Sequence, residues 1–214
     1  MNMKQADNSF QPGRRQARKL DLKNGRVELT HGAGGRAMAD LIDLIFRRAF
    51  DNPLLNQGND QAAFDVAAGR MVMSTDSFVI SPLFFPGGNI GSLAVHGTVN
   101  DLAMAGAQPL YLSTGFILEE GLPLADLTRI VDAMAKAARD AGVQIITGDT
   151  KVVERGKGDG VFINTAGIGR VPAGINISGE RARPGQKILV SGTIGDHGVA
   201  IMSLPKGLQF ETAL

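Results

Sequence analysis

The apolar positions of this chain fall into alternating helical and extended runs, and their order outlines a mixed α+β domain. Met38, Leu41, Ile42, Ile45, Phe46 and Ala49 recur at three- and four-residue spacing and predict a one-faced helix that stops at Asn52-Pro53. Leu124, Leu127, Ile130, Val131, Met134 and Ala138 predict a second amphipathic helix, closed by Gly142. Between them, residues 61–66 and 70–75 read as a hairpin around Ala-Ala-Gly, with a further strand over 77–80. A helix of small residues begins near Asn89 or Gly91 after the loop PLFFPGG. Residues 110–118 are extended by their β-branched and aromatic content. A short buried strand over 143–147 ends at Gly148-Asp149-Thr150-Lys151, and a long strand covers 161–171. Strands paired in hairpins with two helices on one face make this domain α+β.

Flanking segments differ in character. Residues 1–26 carry Lys4, Arg14, Arg15, Arg18, Lys19 and Lys23 with few apolar anchors, and are expected to be a disordered basic extension. Pro172-Ala-Gly174 marks a domain boundary. Beyond it, 187–191 reads as a strand, 192–198 as a turn, and a helix starts near Val199. Residues 172–214 are thus expected to be the incomplete start of a second α/β domain, too short to bury a core alone.

Composition narrows the chemistry. Lys+Arg of 22 against Asp+Glu of 21 gives no global case for nucleic acid or a membrane surface. No apolar run reaches the roughly 20 residues of a membrane span, and no secretory signal precedes the domain, so a cytoplasmic protein is expected. With no Cys, a zinc–thiolate site, an iron–sulfur site, a disulfide framework and a cysteine nucleophile are all excluded from this chain.

Four carboxylates share one context, beside small or hydroxyl residues at an expected strand end or turn: Asp60, Asp76, Asp101 and Asp149. Asn100 and Asp101 come early in the small-residue stretch 95–109 (VHGTVNDLAMAGAQP), where a helix start would offer free amides beside a carboxylate. If the four converge, their repulsion demands cations, and Mg²⁺ also accepts nucleotide phosphates. Taken singly, each also suits an ordinary cap or turn. Lys151 follows Asp149 and is placed either to neutralise a transferring phosphoryl group or to face solvent. The loop His31–Gly35, with Gly34 and Gly35, can fold amides around phosphate, although HGAGG is not a Walker motif. Gly87–Gly91 lacks the βαβ context of a dinucleotide fingerprint. His96 reads as a packed histidine and His197 as a turn residue.

Six strings carry a resemblance: HGAGGRAM (31–38), STDSFVISPLFFPGGNIG (74–91), GFILEEGLP (115–123), TGDTKVV (147–153), FINTAGIG (162–169) and LVSGTIGDHG (189–198). Together they resemble the ATP-using family of aminoimidazole ribonucleotide synthetase, selenophosphate synthetase and thiamine-monophosphate kinase. Within it they resemble most the HypE carbamoyl dehydratases of [NiFe]-hydrogenase maturation. The resemblance implies ATP and Mg²⁺ as cofactors and phosphorylation of a protein-bound S-carboxamide, whose dehydration yields a thiocyanate. It implies HypF as carbamoyl donor and the HypC–HypD complex as acceptor of the cyano group. It further implies a homodimer whose two sheets form a β-barrel, with nucleotide near the interface. Asp60, Asp76, Asp101 and Asp149 would hold the metal. Asn100, Gly34, Gly35, Gly148 and Thr150 would join them around the nucleotide, and Lys151 with Asp149 would serve catalysis. The family's acceptor cysteine and most of its second domain have no counterpart here, so the chain is expected to be catalytically incomplete and truncated. Two other readings stay open: a small-molecule kinase of the same superfamily, and a non-catalytic dimerisation or scaffold module.

Overall fold

The structure is a computed structural model that describes residues 20–206; the expected extension lies outside the described residues as far as residue 19. From Leu20 onward the chain packs. Leu20 and Leu22 rest on the core, and Arg26 bridges to Pro123 while its guanidinium donates to the Gly121 carbonyl at 2.7 Å. Residues 20–26, expected within the extension, therefore belong to the folded unit.

A four-stranded sheet in the order β1-β6-β4-β5 forms the frame. Its strands are β1 (Arg70–Phe78), β4 (Gln108–Glu119), β5 (Gln144–Val153) and β6 (Val161–Val171). β6 runs antiparallel to both β1 and β4, whereas β4 and β5 are parallel. Parallel neighbours need a crossover. Helix α4 (Leu124–Asp140) supplies it, ending where Gly142 takes φ +67° and Val143 N–H donates to Ala138 O at 2.9 Å. A two-stranded ribbon, β2 (Phe84–Phe85) with β3 (Gly88–Asn89), leads into α3 (Ile90–Met104). Asn89 caps α3 by accepting from the Gly91 and Ser92 amides.

Alternation along the strands decides which face is covered. Leu112, Thr114, Phe116 and Leu118 of β4 and Val161, Ile163 and Thr165 of β6 are buried beneath the helices. α4 contributes Leu127, Ile130, Val131 and Met134 to the same core. The N-terminal helix closes one edge as a continuous rod: α1 (Arg36–Leu41), π-helical Ile42–Arg47, then α2 (Arg48–Phe50). On the opposite sheet face Met73 is 72% exposed and Ile117 44% exposed, so this side carries apolar residues without a helical cover.

Several elements depart from the sequence pattern. Residues 61–66 form no strand and leave β1 as an edge strand paired only with β6, while 70–75 joins 77–78 in one strand. Phe64 instead lays its ring 4.6 Å from Tyr111. β5 does not end at residue 147 but runs through Gly148–Lys151 to Val153, since its parallel partner β4 continues alongside to Glu119. Residues 187–191 form no strand; Ile188 and Leu189 are over nine-tenths exposed, with no sheet beside them to complete. The last helix, α5 (Asp196–Lys206), starts at Asp196 rather than Val199. His96 is exposed, not packed, because Ala94, Val95 and Thr98 take the inward positions of α3.

Ile130 is fully buried at the centre of α4. Ile130→Ala should lower unfolding free energy by about 2–5 kcal/mol, read by urea denaturation, while Lys136→Ala on the exposed side changes it by less than about 0.5 kcal/mol.

Candidate functional site

α3 is built from small residues, and this sets how near it comes to the sheet. A Cβ added at Gly97 would lie 2.8 Å from Phe78 and 3.4 Å from Asp76 Oδ2. Beneath it, Thr165 of β6 donates to the Ala94 carbonyl at 2.9 Å and is joined by the Thr98 hydroxyl at 2.6 Å. One turn on, Asp101 accepts from Ser74 Oγ at 2.7 Å. Ser74 and Asp76 share a face of β1, so Asp76 and Asp101 sit about one helical turn apart, roughly 6 Å along α3. Both carboxylates lie at the β1 edge of the sheet.

Asn100 and Asp101 are therefore not at the start of a helix. They occupy its last turn, both exposed, where the amides already bond within the helix. This end of the helix therefore offers no free N–H groups, only the carboxylate and its partner Ser74. Asp60 stands exposed in the irregular stretch before β1 and joins neither group. Among the described residues no three acidic or histidine side chains cluster to hold a metal, so the four aspartates do not converge within one chain.

The second group lies on β5, the opposite edge. Gly148 and Thr150 face the helices, and Asp149 and Lys151 alternate onto the open side. Lys151 Nζ is 3.0 Å from Asp149 Oδ1, and this hydrogen bond is the main cause that holds the Asp149 carboxyl below the usual carboxylate range. Gly148 is needed for contact with β4, since a Cβ there would meet the Thr114 carbonyl at 2.5 Å. The glycine-rich loop comes to the same edge: a Cβ on Gly32 would lie 2.8 Å from the Val152 amide nitrogen, one residue beyond Lys151. Gly34, at φ +76°, and Gly35, which precedes α1, are exposed with open space around them. The loop is pinned by His31, 5% exposed, whose Nδ1 accepts from the Glu28 amide at 2.9 Å.

Three polar groups escaped the sequence reading. Ser74 partners Asp101; Asn164 donates to Thr75 Oγ1, the Asp76 carbonyl and Ser77 Oγ at 3.0–3.2 Å; and Thr114 lies buried under β5. The signal for Asn164 is its place as a polar residue at an outward position of FINTAGIG. Nothing in the pattern marks Thr114.

This fold and these motifs define a class. The chain belongs to the AIR synthase related protein family, whose N-terminal domain model matches residues 58–171. Among curated proteins it is 67% identical over 195 residues to carbamoyl dehydratase HypE of Rhizobium leguminosarum bv. viciae, covering 91% of this chain and 56% of that one. A solved HypE in complex with ATP aligns with TM-score 0.82 at 58% identity over 85% of this chain and 54% of that one. HypE in a HypE–HypF complex aligns with TM-score 0.66 at 53% identity, covering 81% and 56%. The chain thus spans a little over half the length of the curated relatives it matches.

Burial is the main cause that pushes the His31 pKa below its ordinary value, and Glu28 offsets it only in part. The unfolded imidazole binds a proton first as pH falls, so the folded state loses stability from about pH 6.5 downward, until its own depressed pKa is reached. Urea denaturation from pH 8 to 5 should show this decline in the wild type and a smaller one in His31→Gln; equal declines would show that His31 is not the titrating group.

Proposed function

We propose that this chain is the ATP- and Mg²⁺-binding domain of a carbamoyl dehydratase of [NiFe]-hydrogenase maturation, working in the cytoplasm as a homodimer. The observation that carries the reading is the meeting of HGAGGRAM and TGDTK on one sheet edge, in a chain that superposes on a HypE solved with ATP. The loop amides and Lys151 suit the phosphates. Asp76 and Asp101 suit Mg²⁺, which commonly takes one or two carboxylates and completes its shell with water and phosphate oxygens. The small-molecule kinase reading is disfavoured by the high identity to carbamoyl dehydratases.

The two groups stand on opposite edges, three strand spacings or about 14 Å apart. A twofold pairing of open sheet faces into a barrel resolves this separation. It covers Met73 and Ile117 and sets the β1 edge of one protomer beside the β5 edge of its twin. Each site then takes Asp76 and Asp101 from one copy, and the glycine-rich loop, Asp149 and Lys151 from the other. Asn100 adjoins Asp101 and Thr150 adjoins Asp149, and both are assigned supporting positions around the nucleotide; Asp60, which joins neither group, is given no contact in the site.

In the reaction, the carboxamide oxygen attacks the γ-phosphorus and ADP departs with the bridging oxygen. The nitrogen gives up its first proton to solvent as the phosphorylated imidate forms, and the imidate then loses the second proton and inorganic phosphate, leaving S–C≡N. Phosphorylation makes the amide oxygen a leaving group. Lys151 offers its ammonium to the phosphoryl oxygens, and Asp149 fixes where that ammonium points. The 214 residues contain no Cys, so the carboxamide is presented on a thiol outside them. HypF as donor and HypC–HypD as acceptor complete the sequence.

Calorimetry tests this directly. Wild type should bind Mg·ATP, and Asp76→Asn and Asp149→Asn should each weaken it about 10- to 100-fold by removing a charge-assisted contact. After subunit exchange in an equal mixture, half the dimers are mixed and one of their two sites is intact, restoring about a quarter of the sites. No recovery on mixing would refute the shared site, and no binding by wild type would refute the nucleotide reading.

A further inference from the structure

Asparagine is scarce inside strands, because it packs poorly on a pleated surface and its side chain competes for backbone groups. Asn164 nevertheless stands inside β6, between β1 and β4, at an exposed position in register with Ser77 of β1. Its side-chain amide is fully engaged on the β1 side. Nδ2 lies 3.0 Å from the Asp76 carbonyl, 3.0 Å from Ser77 Oγ and 3.2 Å from Thr75 Oγ1. A carbonyl can only accept, and Thr75 Oγ1 already donates to the Thr165 carbonyl at 3.1 Å. The nitrogen end of the Asn164 amide must therefore face β1.

The carbonyl that Asn164 holds belongs to the peptide joining Asp76 to Ser77. The N–H of that same peptide donates to the Asp76 carboxylate, with Ser77 N 2.8 Å from Asp76 Oδ1. Donation into the carbonyl polarises the peptide and makes its N–H a stronger donor. With Oδ1 held in this way, Oδ2 is turned toward α3, 3.4 Å from where a Cβ on Gly97 would lie. β1 is an edge strand, so no further strand steadies this peptide from outside. We propose that Asn164 is a positioning residue for the metal: through the Asp76–Ser77 peptide it presents Asp76 Oδ2 to Mg²⁺ on the side of α3, the helix that carries Asp101. The proposal rests on the Mg·ATP reading and adds to it a residue of β6 that acts through Asp76, with no contact to metal or nucleotide required.

Amide hydrogen exchange, without metal or nucleotide, reads the clasp itself. In Asn164→Leu, close in size but without a donor, the Ser77 amide should exchange about tenfold faster while the amides of β6 stay as protected as in wild type. No change at Ser77, or faster exchange all along β6 from lost strand pairing, would overturn the proposal. Calorimetry reads the consequence. Asn164→Leu and Asn164→Ala should each weaken Mg·ATP binding about tenfold, as loss of a group that orients a metal ligand commonly does. In an Asp76→Ala background, where there is no carboxylate to position, neither should add a further loss. Undiminished affinity, or the same loss in both backgrounds, would overturn the positioning role and leave the ATP reading standing. Absence of any Mg·ATP binding by wild type would sink both.

Discussion

The close seating of α3 on the sheet is the constraint from which the rest follows. Gly97 admits Phe78, and the Gly167 position leaves room for Leu112 and Thr98, where added Cβ atoms would come within 2.8 Å. The Thr98–Thr165–Ala94 hydrogen bonds then satisfy the polar atoms trapped between helix and strand. A larger side chain at these places would lift the helix and part Asp101 from Ser74. Packing and chemistry are therefore fixed by the same small residues.

Sheet order sets the second condition. With β6 and β4 between them, the acidic edge on β1 and the lysine edge on β5 are separate, and one face of the sheet, uncovered by helices, exposes Met73 and Ile117. Exposed apolar surface of this kind asks for a partner surface. In the proposed dimer a symmetric pair of sheets answers both conditions at once, which would tie assembly to nucleotide binding rather than leave them as independent properties.

What the sequence made legible was periodicity. α4, β6 and the N-terminal helix follow directly from apolar spacing, because each has one covered face and its pattern reports that face. The hairpin over 61–66 was misread because alternation alone does not say which strand pairs with β1; its one neighbour is β6, far along the chain. Strand β5 was cut short at Gly148 because glycine and aspartate usually punctuate, whereas here a parallel partner holds them extended. The candidate site residues stand out in the sequence by type and string. Their division between two edges does not, since that depends on strand order; the Asn100–Asp101 pair was placed at the wrong end of its helix although the Asn89 cap that starts α3 is local to the sequence.

Sedimentation velocity in the presence of Mg·ATP measures the linkage of assembly to binding most directly. A dimer is predicted that carries nucleotide, and a paired Met73→Asp, Ile117→Asp variant should sediment as a folded monomer without it. A monomer carrying bound Mg·ATP at wild-type affinity would contradict the shared site.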